Sequence, residues 1–377
     1  MLEKLVSFDT VSRNSNLAFI DYVIGLLRAH GVESRLVHND DRTKANLLAT
    51  IGPRVEGGVV LSGHTDVVPV DDQEWHSNPF SVVEREGLLY GRGTADMKTF
   101  LAIILAALDT MTGAALKVPI HLAFSYDEEV GCLGAPSLIR LLNRELPKPR
   151  AVIVGEPTEM KVVSAHKGIT VVRTTVTGYE SHSSQTHRGV SAVMVAAELI
   201  QFLHGLSAEA AAKGPHNPLF EPQHSTITVN VIEGGTASNI MARHCTFQWD
   251  IRVLPEDNPS RYLDRFRGHC QDVVLPRIRA INPTCNIEIF ARSPTPPLRP
   301  EPNSEAETLC RMLTGDNVTR AVAFAAEAGQ FQESGLSVVI CGPGSISQAH
   351  QPNEFISIAQ VDAGTRFLHD LVKHLAR

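Results

Sequence analysis

Short, largely apolar runs separated by longer segments of mixed polarity set the rhythm of the first half of the chain. Gly58-Val59-Val60-Leu61-Ser62-Gly63 is one such run. It is too short for a core helix and lacks the alternation of a half-exposed strand, so it predicts a strand buried on both faces. Ile120 to Phe124, Ala151 to Val154 and Ser337 to Cys341 repeat the pattern. Between the strands, Ile20 to His30 has helical periodicity with Gly31 as its stop, and Lys98 to Leu108 is a strongly apolar helix candidate. Alternation of this kind predicts an α/β layer with a mixed, largely parallel sheet.

The middle of the chain is patterned differently. Thr170 to Thr177 is rich in β-branched residues, and Ser191 to Leu206 is amphipathic with a helical period. Two alternating strands follow. Ile227, Val229 and Val231 form the apolar side of the first, and Cys245, Phe247, Trp249, Ile251 and Val253 that of the second. Arg261 to Leu275 predicts a second helix and Asn286 to Phe290 a last strand. The order β-α-β-β-α-β is the ferredoxin-like plan. It interrupts the α/β pattern, so residues 168–291 are expected to form an inserted domain within a discontinuous one made of 1–167 and 292–377. The proline-rich stretch Pro294 to Pro302 is the return linker.

A length of 377 residues suits two domains. With 34 Lys and Arg against 41 Asp and Glu, the formal charge is -7, which supplies no basic face and argues against nucleic acid as a partner. No apolar stretch reaches the roughly 18 to 20 residues that span a bilayer, and Met1 to Leu5 has no leader pattern. The six cysteines are scattered without a Cys-x-x-Cys pair, the usage expected of buried thiols in a reducing compartment. No membrane partner and a cytoplasmic location are therefore expected.

The informative feature is where histidines and acids fall. His64 and Asp66 follow the first buried strand, Asp127-Glu128-Glu129 the next, Glu156 the third and His350 the last; Asp96 stands before the helix beginning near Lys98. Ligands of open α/β sheets bind beyond the carboxyl ends of the strands, so these residues should converge on one edge. Each motif alone is weak, since His-x-Asp pairs and adjacent glutamates are commonly solvated. Convergent carboxylates, however, repel unless protons or cations lie among them. Two imidazoles with several carboxylates suit zinc, with cobalt or manganese as alternatives. The donor count favours two ions sharing one carboxylate, and a pair about 3.5–4 Å apart can acidify a water while polarising a carbonyl. A spare carboxylate must then move the proton, and Glu128 is the candidate.

Gly63-His64-Thr65-Asp66-Val67-Val68-Pro69, Gly91-Arg92-Gly93-Thr94-Ala95-Asp96-Met97-Lys98, Asp127-Glu128-Glu129-Val130-Gly131 and Gly155-Glu156-Pro157-Thr158 together resemble the M20 metallopeptidase family, along essentially the whole chain. The stretches Asp9 to Asn16, Glu327 to Phe331 and Cys341 to His350 sharpen the likeness. The resemblance implies a zinc-peptidase-like catalytic domain and an inserted dimerisation or lid domain, with hydrolysis of an N-acyl amide of an amino acid as the reaction. It makes Asp96 the bridging ligand, with His64 and Glu156 on one zinc and Glu129 and His350 on the other. Asp66 would accept a hydrogen bond from His64, Glu128 would be general base and then general acid, and the peptide bond after Asp96 would be cis. His182 is implied to reach a neighbouring subunit's oxyanion in a homodimer. Asn239 and Arg252 match substrate-contacting lid positions, and Arg252 stands opposite its strand's apolar face, free to meet a carboxylate. Glu327 is a loop acid that could meet a substrate cation. Two residues depart from the family's pattern: Thr99, where glycine is common, and Ala326, where threonine is usual.

Overall fold

The computed structural model describes residues 1–292 and 294–377, and Ser293, inside the expected second stretch of the discontinuous domain, lies outside the described residues. The chain divides into two compact units: Met1–Ala165 with Leu298–Ala321 and Ala326–Arg377, and His166–Pro297 with Val322–Ala325.

In the first unit the four apolar runs are the strands Val59–His64, Ile120–Ser125, Ala151–Pro157 and Val338–Gly342, every residue of which is buried. They pair in parallel in the order Ile120–Ser125, Val59–His64, Ala151–Pro157, Val338–Gly342. Ala45–Ile51 and Ser34–His38 extend the sheet antiparallel at one edge, which makes it mixed. Helices Leu17–Ala29, Lys98–Ala106, Ala135–Glu145 and Ile358–Leu375 belong to the same unit, and Phe19, Leu101, Leu142 and Leu371 are fully buried. Lys98–Ala106 is buried along nearly its whole length, as the unbroken apolar run from Phe100 to Ala106 requires. Its first turn approaches the sheet so closely that a Cβ on Gly155 would meet the Phe100 ring at 2.1 Å. A rigid ring cannot yield by that much, so glycine is required where this strand delivers Glu156.

The second unit is a four-stranded antiparallel sheet in the order Thr226–Gly234, His244–Val253, Gly168–Thr177, Asn286–Ala291. Helix Ala192–Lys213, capped by Ser191, packs with it over a core of Val172, Leu199, Phe247, Trp249 and Phe266. Two details differ from the sequence pattern. A bulge between Val229 and Val231 breaks the alternation, so Val231 is exposed and not on the apolar side. The predicted helix from Arg261 is Pro259–Gly268 followed by a π-helical turn, His269–Val274, and then Leu275–Ile281. Among the described residues no helix is long and apolar enough to cross a membrane, no disulfide forms, and all six cysteines are buried.

Candidate metal centre

Three of the parallel strands end in the residues that matter. His64 is the last residue of its strand, Glu156 is the last but one of its own, and the strand ending at Ser125 leads into Asp127-Glu128-Glu129. Asp96 precedes helix Lys98–Ala106, and the Asp96–Met97 peptide bond is cis. His350 stands in the left-handed region (φ 63°) on the loop after Val338–Gly342.

Asp96 is the centre of the cluster. Its Oδ1 lies 3.0 Å from His64 Nε2 and its Oδ2 3.3 Å from His350 Nε2, so its two oxygens face two different imidazoles. His350 Nε2 is also 3.0 Å from Glu129 Oε2. Glu156 Oε1 is 3.8 Å from His64 Nε2, too far for a hydrogen bond, and it has no partner among the described residues although it is buried. One potential ligand atom from each of His64, Asp96 and Glu129 lies within 4.8 Å of the others, and the same holds for His64, Glu128 and Glu156.

The charge balance explains the protonation pattern. Burial opposes ionisation of Asp96, but hydrogen bonds from His350 and His64 prevail and hold it below the usual carboxylate range. The same contacts outweigh burial at His350, pushing its imidazole up to about 11, and raise His64 as well. Glu156 is raised well above an ordinary glutamate by burial and by the Asp96 charge. Burial, opposed by His64 and aided by Glu129 and Asp96, pushes Glu128 up to about 8. Such a cluster takes up cations, as protons or as metal. The residues fit a metal pair: a buried carboxylate oxygen without a partner, a carboxylate facing two imidazoles, and four acids (Asp96, Glu128, Glu129 and Glu156) whose charge matches two dications. Zinc bound there would supply a Lewis acid for a carbonyl and lower the pKa of a water.

Asp66 sits beside His64, but in a different way from that expected. His64 Nδ1 donates to the Asp66 backbone carbonyl at 2.9 Å, while the nearest carboxylate oxygen is 3.7 Å away. A carbonyl only accepts, so this bond keeps a ring proton on Nδ1 and makes Nε2 the nitrogen that faces the cluster, donating to Asp96 while protonated and able to offer its lone pair once that proton leaves. The Asp66 carboxylate instead accepts from the Glu128 and Glu129 amides at 3.1 and 3.2 Å and from Ser12 Oγ at 2.7 Å. It therefore orients the turn that carries both glutamates. Lys44, which the sequence pattern did not single out, holds the start of that turn through Asp127 at 2.5 Å.

Glu327 also departs from its expected place as a loop acid open to substrate. It is 1% exposed, and its two oxygens accept from Ser62 Oγ at 2.6 Å and Ser125 Oγ at 2.7 Å. Both serines lie on the strands that present His64 and Glu128, so Glu327 ties those strands together and is not available to a substrate ammonium. Thr99, one of the two departures from the family pattern, is buried and donates to the Thr94 carbonyl at 2.6 Å, fastening the helix start to the Asp96 loop. Ala326 is buried as well.

His182, Asn239 and Arg252 belong to the second unit. Ser184 N donates to His182 Nδ1 at 3.2 Å, so Nδ1 accepts and Nε2 is the nitrogen from which the exposed ring can donate. The Ser183 amide donates to the Asn239 carbonyl at 3.0 Å, joining the two predicted residues through one local structure. Arg252 stands on the face of its strand opposite Trp249 and Ile251, with Nε 3.7 Å from Asp250.

The sequence model described as peptidase family M20/M25/M40 matches residues 60–374. The chain is 31% identical to the acetylornithine deacetylase of Pasteurella multocida (strain Pm70), over 97% of this chain and 93% of that one. It is 33% identical to that of Yersinia pseudotuberculosis serotype O:1b (strain IP 31758), over 98% and 93%. Among solved structures, the M20 family metallo-carboxypeptidase Sso-CP2 of Sulfolobus solfataricus superposes with a TM-score of 0.80 at 19% identity, covering 100% of this chain and 98% of that one.

Proposed function

The chain belongs to peptidase family M20/M25/M40 and is a metal-dependent amidohydrolase, and from that premise we propose that it deacetylates N2-acetyl-L-ornithine, releasing L-ornithine and acetate for arginine biosynthesis. The observation that carries the chemistry is Asp96, whose two oxygens face His64 and His350 within a buried acidic cluster. Two zinc ions would be held there, one by His64 and Glu156, the other by Glu129 and His350, with Asp96 shared; cobalt is the expected substitute.

The chain's own residues then divide the work. Glu128 is pushed up to about 8 and holds its proton near pH 7 in the metal-free cluster; with cationic charge bound beside it the carboxyl would ionise, take a proton from the attacking water and return it to the departing nitrogen. Asp66 fixes the direction of Glu128 through its amide, and the Asp66 carbonyl fixes the His64 tautomer. His182, donating from Nε2, is assigned to the oxyanion in the site of a neighbouring subunit, in a homodimer built through the second unit as a dimerisation and lid domain. Asn239 and Arg252 are assigned to substrate, with Arg252 meeting its carboxylate as a planar fork. Buried cysteines without a disulfide among the described residues support a reducing, cytoplasmic location.

Two measurements test this reading. With N2-acetylornithine, the zinc-loaded protein should reach a kcat/KM near or above about 10⁴ M⁻¹s⁻¹. Succinyl-diaminopimelate, acetylcitrulline and dipeptides should be far poorer. A preference for the succinyl compound, which brings carboxylates that acetylornithine lacks, would keep the chemistry and overturn the substrate. His182→Ala should lower kcat by roughly 10²–10³, the scale of one lost oxyanion donor. A wild-type rate in that variant would remove His182 from the reaction.

A further inference from the structure

The loop that offers Asp96 is organised by a charge pair that the reaction does not itself use. Glu354 and Arg92 are each 1% exposed and joined by Arg92 Nη1 to Glu354 Oε2 at 2.8 Å. The same Oε2 accepts from the Gly93 amide at 3.0 Å, while Oε1 accepts from Ala95 at 2.8 Å and from Asp96 itself at 3.1 Å. One carboxylate thus gathers the amides of Gly93, Ala95 and Asp96, three of the last four in the turn that ends at Asp96. Glu354 stands four positions beyond His350, so the anchor of the Asp96 loop travels with the His350 loop. Arg92 adds the third connection. Its Nη1 donates to the Gln351 carbonyl at 3.3 Å and its Nη2 to Gln73 Oε1 at 2.6 Å, and Gln73 Nε2 donates to the His350 carbonyl at 3.0 Å.

The two proposed metal positions are therefore built differently. His64 and Glu156 are on adjacent strands of the central sheet, fixed by its ladder. His350 and the second oxygen of Asp96 meet only where two loops are brought into register, and that register passes through Glu354 and Arg92. We propose that Glu354, held by Arg92, is the positioning residue that makes the site dinuclear. It sets Asp96 where its second oxygen reaches the His350 side, and so it governs the ion at Glu129 and His350 much more than the ion at His64 and Glu156. The inference rests on the two-ion reading above.

The test is zinc binding by calorimetry to the metal-free full chain, with metal content measured independently. Wild type should take up two ions. Glu354→Gln keeps the side chain's shape but turns an N–H donor toward Arg92 and Gly93. It should bind the first ion within about threefold of wild type and the second about 10- to 100-fold more weakly, the usual cost of disturbing a ligand's supporting hydrogen bonds. General loosening of the fold would weaken both ions together, so their ratio separates positioning from mere support. Two normal affinities, or a parallel loss of both, overturns the proposal. Should Glu354→Gln not fold, Glu354→Asp and Arg92→Lys keep both charges and shorten the reach, and the selective loss must reappear in them or the proposal falls. A single ion in wild type would overturn the two-ion reading and this inference with it, and that outcome is visible before any variant is compared.

Discussion

Glu128→Gln is expected to lower kcat by about 10⁴-fold while leaving metal content unchanged, the upper end of what a positioned acid–base group contributes. The size follows from the double use proposed above: the same carboxylate would take the proton from water and deliver it to nitrogen, so both steps would lose their carrier. Retention of metal follows from geometry. Asp96 Oδ1 and Oδ2 face His64 and His350 without help from Glu128. The amide side chain is also nearly isosteric, and its backbone N–H still reaches Asp66 at 3.1 Å. KM should change little, because the group acts in the transition state more than in binding. The discriminating measurement pairs steady-state kinetics with metal analysis on one preparation. Loss of metal along with activity would make Glu128 a ligand, a role the spacing of His64, Glu128 and Glu156 also permits. Full activity would move the proton transfer to another residue.

The ends of the strands could be located from the sequence because burial on both faces leaves an unbroken apolar run, and a charged residue directly after such a run has to lie at the sheet's edge. His64 and Glu156 follow from that rule, and so does the turn bearing Glu128 and Glu129. What the pattern could not show is direction and partnership among buried polar groups. Glu327 looked like a loop acid, since nothing in the chain's order reveals that Ser62 and Ser125, on two different strands, both point at it. Glu354 and Arg92 lie 262 positions apart, and only the folded loops bring them together. Serines inside apolar runs were the available signal for Glu327, because a hydroxyl on a doubly buried strand needs an acceptor. The bulge at Val229 to Val231 was hidden for a related reason: alternation specifies faces only while the register holds.

Removing the metal should abolish turnover reversibly, and putting it back should release protons. Dialysis against a chelator is expected to take activity to background, with zinc restoring it and cobalt substituting. The proton release follows from how the cluster balances its charge without metal. His350 is pushed up to about 11 and Glu128 to about 8, and His64 and Glu156 are also raised, so near pH 7 these groups hold protons. A metal ion needs the lone pairs that those protons occupy. Binding must therefore expel them, and the binding enthalpy measured at pH 7 should vary with the ionisation enthalpy of the buffer in the sense of release. The same competition fixes the sign of the pH dependence: affinity weakens as pH falls, since each raised group carries its proton more fully. Stability should follow occupancy, with about 2.7 kcal/mol gained at a free zinc concentration one hundred times the Kd of a single site. A buffer-independent enthalpy would mean that the imidazoles enter the site already deprotonated, which is incompatible with an Asp96 carboxylate shared between His64 and His350 in the metal-free chain.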